Sequence, residues 1–254
     1  MPRMFSTREV EGFQKDGYVI VRNLAAPAVV HAMREVTQAA LADEAAPLEY
    51  EADLHYPGAP PSRTAPGGHT VRRLLQAYAR HAVFRDWALG APVTARVQQL
   101  LGVKVMLSQA HHNCVMTKLP RFSSVTHWHQ DIRYWAFERA ELVSVWLALG
   151  PERVDNGGLL LLPGSQAMDF APAQLDAAKF LRPDLEQNQK LITTQVTAEL
   201  NAGDVLFFHC RTLHAAGRNE TTAPKFSVVF TYHAADNHPL PGTRSATTPE
   251  IALA

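Results

Sequence analysis

Residues 203–214 read GDVLFFHCRTLH, and this stretch contains the pattern that decides the fold. Gly203 and Asp204 are a turn signal, because glycine accepts positive φ and an aspartate side chain can bond its own backbone. The branched and aromatic residues that follow predict a buried strand over Asp204–Cys210. His214 comes just after that strand, where the mouth of a rolled-up sheet would lie. The stretch therefore predicts a core strand with a histidine near its end.

Five more short segments after Gly102 have the same branched or aromatic composition and are predicted to be strands: Val103–Leu107, Ala110–Met116, Leu142–Ala148, Gly158–Leu162 and Phe226–Tyr232. Turn signals lie between them, such as Asn156-Gly157-Gly158 and Pro163-Gly164-Ser165. An insert, residues 171–194, starts with helical spacing and ends polar. Many short strands separated by turns predict a mainly β region.

The first 101 residues have a different pattern and are predicted to be mostly helical. Ser6 and Glu9 fit a capping box at the start of a helix. Residues 17–21 are predicted to be a strand by their β-branched content. Apolar residues recur at helical spacing in 27–43 and again in 71–101, with a break near residues 90–92. Residues 45–69 are rich in proline and glycine, and we expect them to form a lid loop.

Helices followed by many short strands predict an α+β, mainly β fold with helices packed on one side of an antiparallel core. A jelly roll is the economical form of such a core, because it manages its strand edges in two stacked sheets. We expect one domain, residues 1–254. It would have a helical part over 1–101, a jelly-roll core over 102–236 and a C-terminal tail over 237–254.

The composition argues against several classes of function. Lys+Arg and Asp+Glu are both 24, so no net charge would attract nucleic acid or an anionic membrane. No apolar run approaches the roughly 20 residues that span a bilayer, and residues 1–13 lack the apolar segment of a signal peptide. The chain has two cysteines, Cys114 and Cys210, which argues against a disulfide framework and favours the cytoplasm. We therefore expect a cytoplasmic protein that acts on a small molecule, with its oligomeric state left open.

Residues 126–135, THWHQDIRYW, contain a possible metal site. In a strand, His129 and Asp131 would project to the same face about 7 Å apart, so both could bind one ion. Taken alone, a His-X-Asp is more often a hydrogen-bonded polar pair. With His214 it makes two histidines and one carboxylate, a set typical of non-haem Fe(II) oxygenases. Lys225 and Ser227 share a face of the following strand, where a cation and a hydroxyl suit the far end of a dicarboxylate.

Several spaced motifs in order make the sequence resemble the phytanoyl-CoA dioxygenase family of Fe(II)- and 2-oxoglutarate-dependent oxygenases. They cover most of the chain: FQKDGY at 13–18, QAY at 76–78, KLP at 118–120, HQDIRY at 129–134, the strand ending at Trp146, NGG at 156–158, PGS at 163–165, GD at 203–204, and then His214, Asn219 and the Lys225 strand. The resemblance implies a double-stranded β-helix, a cupin-like jelly roll, with iron bound by His129, Asp131 and His214. It also implies 2-oxoglutarate and O2 as cosubstrates of a hydroxylation that yields succinate and CO2.

The same resemblance implies a set of residues around 2-oxoglutarate. Lys225 stands where the family usually has an arginine that pairs with the far carboxylate, and Arg218 could supply the charge instead. Trp146 would form a wall of the cosubstrate pocket. His112 and Cys114 occupy positions that reach the cosubstrate in relatives.

The presence of Asp131 bears on the reaction, since related halogenases have a small residue there so that chloride can bind the iron. Hydroxylation is therefore favoured. Arg133 follows Asp131 by two, so in a strand it would share its face and could meet an acidic substrate, as could Tyr134. Other arginines could do the same from the lid or its surroundings: Arg63, Arg72, Arg73 and Arg244.

The other histidines, tryptophans and cysteines near these motifs are expected to have supporting or structural roles. His127 is expected to support the metal ligands, and four other histidines are expected to be structural: His111, His209, His233 and His238. Trp128 and Trp135 are expected to pack in the core or lid. Both cysteines are expected to be buried and inert.

Two other functions remain open from the sequence alone. One is a cupin-like metalloprotein that works without a keto acid, which the lysine at position 225 favours. The other is a non-catalytic module that binds 2-oxoglutarate or another ligand.

Overall fold

The structure is a computed structural model that describes residues 4–102 and 104–253. Its helices are α1 (Thr7–Asp16), α2 (Pro27–Ala42), α3 (Glu51–Leu54), α4 (Ala77–Arg80), α5 (Ala82–Ala88), α6 (Ala91–Leu101) and α7 (Glu186–Ile192). Its strands are β1 (Tyr18–Val21), β2 (Leu48–Tyr50), β3 (Val71–Leu75), β4 (Val105–Ser108), β5 (Cys114–Lys118), β6 (Thr126–His129), β7 (Leu142–Ala148), β8 (Leu159–Leu161), β9 (Val196–Thr197), β10 (Val205–His209), β11 (His214–Ala216), β12 (Lys225–Ala234) and β13 (Ile251–Ala252).

The strands form two antiparallel sheets. The larger has the order β1-β10-β7-β12-β5-β3-β2, with β4 paired to β12 and β13 paired to β4. The smaller has the order β6-β11-β8-β9. The fully buried β7 shows how the larger sheet is covered on both faces, because its side chains alternate. Val143, Val145 and Leu147 pack with the helices, whereas Trp146 and Ala148 pack with Leu159 and Leu161 of the smaller sheet. The predicted jelly roll is confirmed. The helices are not all on one side, because Leu191 and Ile192 of α7 pack with Trp128 and Ala215 of the smaller sheet.

The N-terminal helix begins where its sequence predicts. Glu9 N–H donates to Ser6 Oγ and Ser6 N–H donates to Glu9 Oε2, the two bonds of a capping box. The helix ends at Gly17, whose φ is 81°. A side chain there would also meet Thr212 Oγ1 at 2.5 Å, so both backbone and space require glycine.

Several element predictions were wrong. Residues 71–75 were predicted to be helical but form β3, which pairs with β2 and β5. A short apolar run does not distinguish helix from strand, and here the neighbouring strands decide. The predicted lid, residues 45–69, contains β2 and α3. The insert has a 3-10 turn at Pro172–Gln174 and its helix at the end, not the start.

The strand predicted over Ala110–Met116 begins only at Cys114, because the chain bends through residues 109–113 with a φ of 35° at His112. The start of the predicted Val103–Leu107 strand lies outside the described residues, and β4 runs from Val105 to Ser108. Within residues 4–102 and 104–253, the helices are all too short or too polar to cross a lipid bilayer.

Candidate metal and cosubstrate site

Two histidines and an aspartate converge in the interior between the sheets. His129 ends β6 and His214 begins β11, and the two are paired directly across these antiparallel strands. Asp131 was expected on the same strand as His129, but it begins a 3-10 turn, Asp131–Tyr134. The turn carries its carboxylate back toward both rings. Asp131 Oδ1 lies 3.8 Å from His129 Nε2 and 3.6 Å from His214 Nε2.

Each imidazole is oriented by a backbone carbonyl. His129 Nδ1 lies 2.8 Å from the carbonyl oxygen of His127, and His214 Nδ1 lies 3.0 Å from that of Thr212. Nδ1 therefore carries the proton in both rings, and the lone pair of Nε2 is free for a ligand. Burial and the neighbouring His214 hold the pKa of His129 well below its usual value of 6.5. It is the neutral imidazole that binds metals.

These three side chains fit one divalent ion. Their ligand atoms all lie within 4.8 Å of one another, and all three residues are buried. Two neutral imidazoles and one carboxylate leave coordination positions open, the donor set that suits non-haem Fe(II). The expected residues are thus brought together, and their binding of iron stays a prediction.

The second carboxylate oxygen of Asp131 has its own partners. Ser144 Oγ and His112 Nδ1 each lie 3.4 Å from Asp131 Oδ2. Burial lowers the pKa of His112 to about 4, so the ring is neutral at pH 7. His112 was expected near the cosubstrate. It lies beside the candidate metal ligand in a strained backbone conformation, and it also lines the neighbouring cavity.

A cavity of about 390 Å³ opens beside the three ligands. Trp146, Cys114 and Lys225, all expected around the cosubstrate, line it. Burial raises the pKa of the Cys114 thiol to about 12, so this cysteine is a neutral wall residue at pH 7. Arg218 is absent from the lining and donates to the backbone oxygen of Arg121.

Glu152 is the residue that the sequence interpretation missed at the cosubstrate end. It is fully buried, and its carboxylate accepts hydrogen bonds from Lys225 Nζ at 3.1 Å, Ser227 Oγ at 2.6 Å and Trp146 Nε1 at 3.0 Å. Ser227 was expected to hold the cosubstrate, but it does not line the cavity, and its hydroxyl donates to Glu152. Glu152 lies in a polar segment, PERVDN at residues 151–156, which gives no local sign of burial. The one available clue was that a buried Lys225 needs a residue of opposite charge beside it.

Lys118 is a second missed cation. It lies directly opposite Lys225 across β5 and β12 and lines the same cavity. Its ammonium group donates to the backbone oxygens of Ser124 and Gly217. Burial, with a further contribution from nearby Arg72, lowers its pKa to about 7. Because they are paired across the two strands and both line the cavity, Lys118 and Lys225 face the same end of it.

The outer wall combines the lid, the insert and the turn after Asp131. Tyr134 lines the cavity and its hydroxyl lies 2.9 Å from that of Tyr56. Arg133 is not part of the lining; it stacks 3.8 Å over the Phe180 ring and donates to the Tyr134 hydroxyl at 2.8 Å. The expected shared face with Asp131 is wrong for Arg133, because the 3-10 turn replaces the alternation of a strand.

Of the four other arginines that could meet a substrate, three line the cavity and one lies near the surface. Arg72, Arg73 and Arg244 line the cavity, and Arg63 pairs with Asp53 near the surface. Arg72 Nη1 lies 3.1 Å from Glu51 Oε2, and Arg73 Nε lies 3.3 Å from Glu49 Oε1.

Several of the expected structural roles fit the contacts found. His111 bonds Ser245, His233 contacts Glu250, and His209 accepts from the backbone N–H of Arg211. Trp128 and Trp135 pack in two apolar clusters.

Comparisons with known proteins agree with this geometry. A family profile described as "Phytanoyl-CoA dioxygenase (PhyH)" matches residues 13–227. The ectoine dioxygenase of Bordetella parapertussis is 24% identical over 251 residues, covering 91% of this chain and 76% of that protein.

Solved structures show the same fold. EctD from S. alaskensis with 2-oxoglutarate and 5-hydroxyectoine has a TM-score of 0.76 at 22% identity, covering 96% of this chain and 82% of that one. The non-heme alpha ketoglutarate dependent carbocyclase SnoK from nogalamycin biosynthesis has a TM-score of 0.75 at 20% identity, covering 98% and 97%. The chain belongs to the phytanoyl-CoA dioxygenase family, and its class is that of the non-haem iron dioxygenases that use 2-oxoglutarate.

Proposed function

We propose that the protein hydroxylates an unactivated C–H bond of a small organic substrate. In this reaction the substrate carbon gains one oxygen atom of O2. 2-Oxoglutarate loses CO2 and gains the other oxygen atom, leaving as succinate. The observation that carries the proposal is the convergence of His129 Nε2, His214 Nε2 and Asp131 Oδ1 beside an open cavity.

These three residues would hold iron, which supplies the redox chemistry that activates O2 when it is bound. The chain contributes a fixed donor set. The carbonyls of His127 and Thr212 fix the tautomers of the two imidazoles, and Ser144 and His112 hold the carboxylate. The carboxylate also supports hydroxylation over halogenation, because Asp131 fills the position that chloride would need.

The far carboxylate of 2-oxoglutarate would bind between Lys118 and Lys225. Together with Glu152, these side chains carry one net positive charge when both lysines are protonated. That charge matches the single negative charge of a far carboxylate, and both lysines line the cavity. A water-poor site strengthens such a pairing.

The substrate would bind on the outer side, beneath Tyr56, Tyr134 and Phe180. These rings come from the lid segment, the turn after Asp131 and the insert, and they contact one another. We propose that they close over the substrate and keep water away from the oxidising centre.

The direct test is succinate formation from 2-oxoglutarate with Fe(II) and O2, followed by analysis of candidate substrates for added oxygen. His214→Ala and Asp131→Ala should both abolish succinate formation. Unchanged turnover in either variant would contradict the proposal. A cupin-like metalloprotein without a keto acid would instead be stabilised by Mn(II), with no further thermal shift on adding 2-oxoglutarate.

A further inference from the structure

The cavity wall near Lys225 has an unusual arrangement of donors. Three side chains donate to one fully buried carboxylate, that of Glu152: the Lys225 ammonium, the Ser227 hydroxyl and the Trp146 indole N–H. Lys225 Nζ also lies 3.1 Å from Ser227 Oγ. Of these four residues, Lys225 and Trp146 line the cavity, whereas Glu152 and Ser227 lie behind them.

A lysine at this position lacks a property that an arginine has. A guanidinium is a rigid planar fork, whereas an ammonium group is a point charge on a flexible stem. A buried lysine therefore needs other groups to fix where its N–H bonds point. Glu152 and Ser227 take two of the three ammonium N–H groups from behind. In the part of the chain that the structure describes, no hydrogen-bond partner is found for the third.

We propose that Glu152 is a positioning residue for the 2-oxo acid cosubstrate. It holds the Lys225 ammonium group, the Ser227 hydroxyl and the Trp146 ring in one geometry, so that the remaining N–H of Lys225 is presented to the cavity. Lys225 and Glu152 together thus do what one arginine guanidinium would do, which is to present an N–H group in a fixed direction. This inference rests on the proposed function, because it assigns the acid that binds there to the far end of 2-oxoglutarate.

Glu152 could instead serve only to neutralise the charge of Lys225. That role and the positioning role predict different changes in 2-oxoglutarate binding when Glu152 is replaced. If the carboxylate only neutralised Lys225, removing its charge would strengthen the binding of an anion. If it positions Lys225, shortening it would weaken binding even though its charge is kept. Glu152→Asp and Glu152→Gln separate the two roles.

The experiment measures the dissociation constant of 2-oxoglutarate by calorimetry on the Mn(II)-loaded protein without O2, and then kcat and KM with Fe(II). Glu152→Asp and Glu152→Gln should each weaken binding about tenfold or more and raise KM, with kcat at saturating 2-oxoglutarate within about threefold of wild type. Glu186→Gln is the matched control, because Glu186 is exposed on α7, and it should bind as wild type does.

A rescue variant tests directly whether the Lys225–Glu152 pair takes the place of an arginine. Glu152→Ala combined with Lys225→Arg supplies the missing fork, so it should bind 2-oxoglutarate within about threefold of wild type. If the single variants fail to fold, Glu152→Leu with Lys225→Met replaces the buried pair by apolar side chains, a change that folds tolerate. That double variant should lose at least about tenfold in affinity.

Equal binding by Glu152→Asp together with tighter binding by Glu152→Gln would overturn the inference, as would wild-type affinity in the Leu/Met double variant. Those results leave the proposed hydroxylation intact, because the wild type still binds 2-oxoglutarate. Wild-type affinity in the Leu/Met double variant would, in addition, show that Lys225 does not hold the far carboxylate. A wild-type protein that loads Mn(II) and shows no 2-oxoglutarate binding would refute the proposed function itself.

Discussion

His129 and His214 lie directly opposite each other on antiparallel strands, with their ring centroids 4.3 Å apart. This pairing brings together residues that are far apart in sequence, because β6 and β11 are neighbours in the smaller sheet. Asp131 completes the cluster through a turn that leaves the sheet immediately after His129. The candidate metal site therefore depends on one strand pair and one turn.

The contacts to Asp131 Oδ2 predict an effect on metal affinity. His112→Ala and Ser144→Ala should each weaken Mn(II) or Fe(II) binding about 10- to 100-fold, because the carboxylate loses a partner that orients it. Calorimetric titration with Mn(II) measures this. His111→Ala is the matched control, because the His111 ring bonds the Ser245 hydroxyl rather than Asp131. Equal metal affinity in His112→Ala and His111→Ala would contradict this role of His112.

The lowered pKa of Lys118 predicts a pH dependence of 2-oxoglutarate binding. A lysine with a pKa of about 7 loses its charge as the pH rises above 7, so the anion site loses a cation. The dissociation constant should then rise by up to about tenfold per pH unit above pH 7. Calorimetry between pH 6 and 8.5 measures it. Lys118→Met should bind more weakly with little dependence on pH, and a flat profile in the wild type would refute the prediction.

The same shift predicts how the stability of the ligand-free protein depends on pH. Between pH 7 and 10.5 the unfolded chain keeps this lysine protonated while the folded chain does not. The unfolded state then binds more protons, so Lys118 makes stability rise with pH over that window. Denaturant unfolding at pH 7 and 9 should show a smaller increase in Lys118→Met than in the wild type. An identical increase in both proteins would count against the buried position of Lys118.

Both cysteines should be unreactive in the folded protein. Burial raises the pKa of Cys114 and of Cys210 to about 12, and the thiolate is the reactive form. A thiol reagent at pH 8 should label neither residue until denaturant is added, after which both should react. Labelling of Cys114 in the native protein would show that its side of the cavity is open to solvent and less desolvated than the structure indicates.

Much of the fold could be predicted from local patterns. The β7 and β10 segments are fully or almost fully buried strands, and their branched and aromatic runs show it directly. β3 could not be predicted this way, because residues 71–75 become a strand only by pairing with β2 and β5. Propensity is a weak guide where such tertiary pairing decides.

The candidate site also contains some residues that the sequence could predict and others that it could not. His129, Asp131, His214 and Lys225 carry sequence signals, through their types and spacing. Glu152 is 73 residues from Lys225 in sequence, and nothing in its own neighbourhood marks it as buried. Residue types predicted the chemistry of the site, but only the packing of the two sheets showed which polar groups support it.

Metal binding tests the central claim most directly. The purified wild-type chain should bind one equivalent of Mn(II) or Fe(II), measured by calorimetry and by metal analysis after dialysis. His214→Ala and Asp131→Ala should lose at least about 100-fold in affinity, since each removes one of three protein donors. His127→Ala should keep wild-type affinity, because the backbone carbonyl that bonds His129 remains in this variant. Stoichiometric binding that survives in His214→Ala or Asp131→Ala would contradict the account.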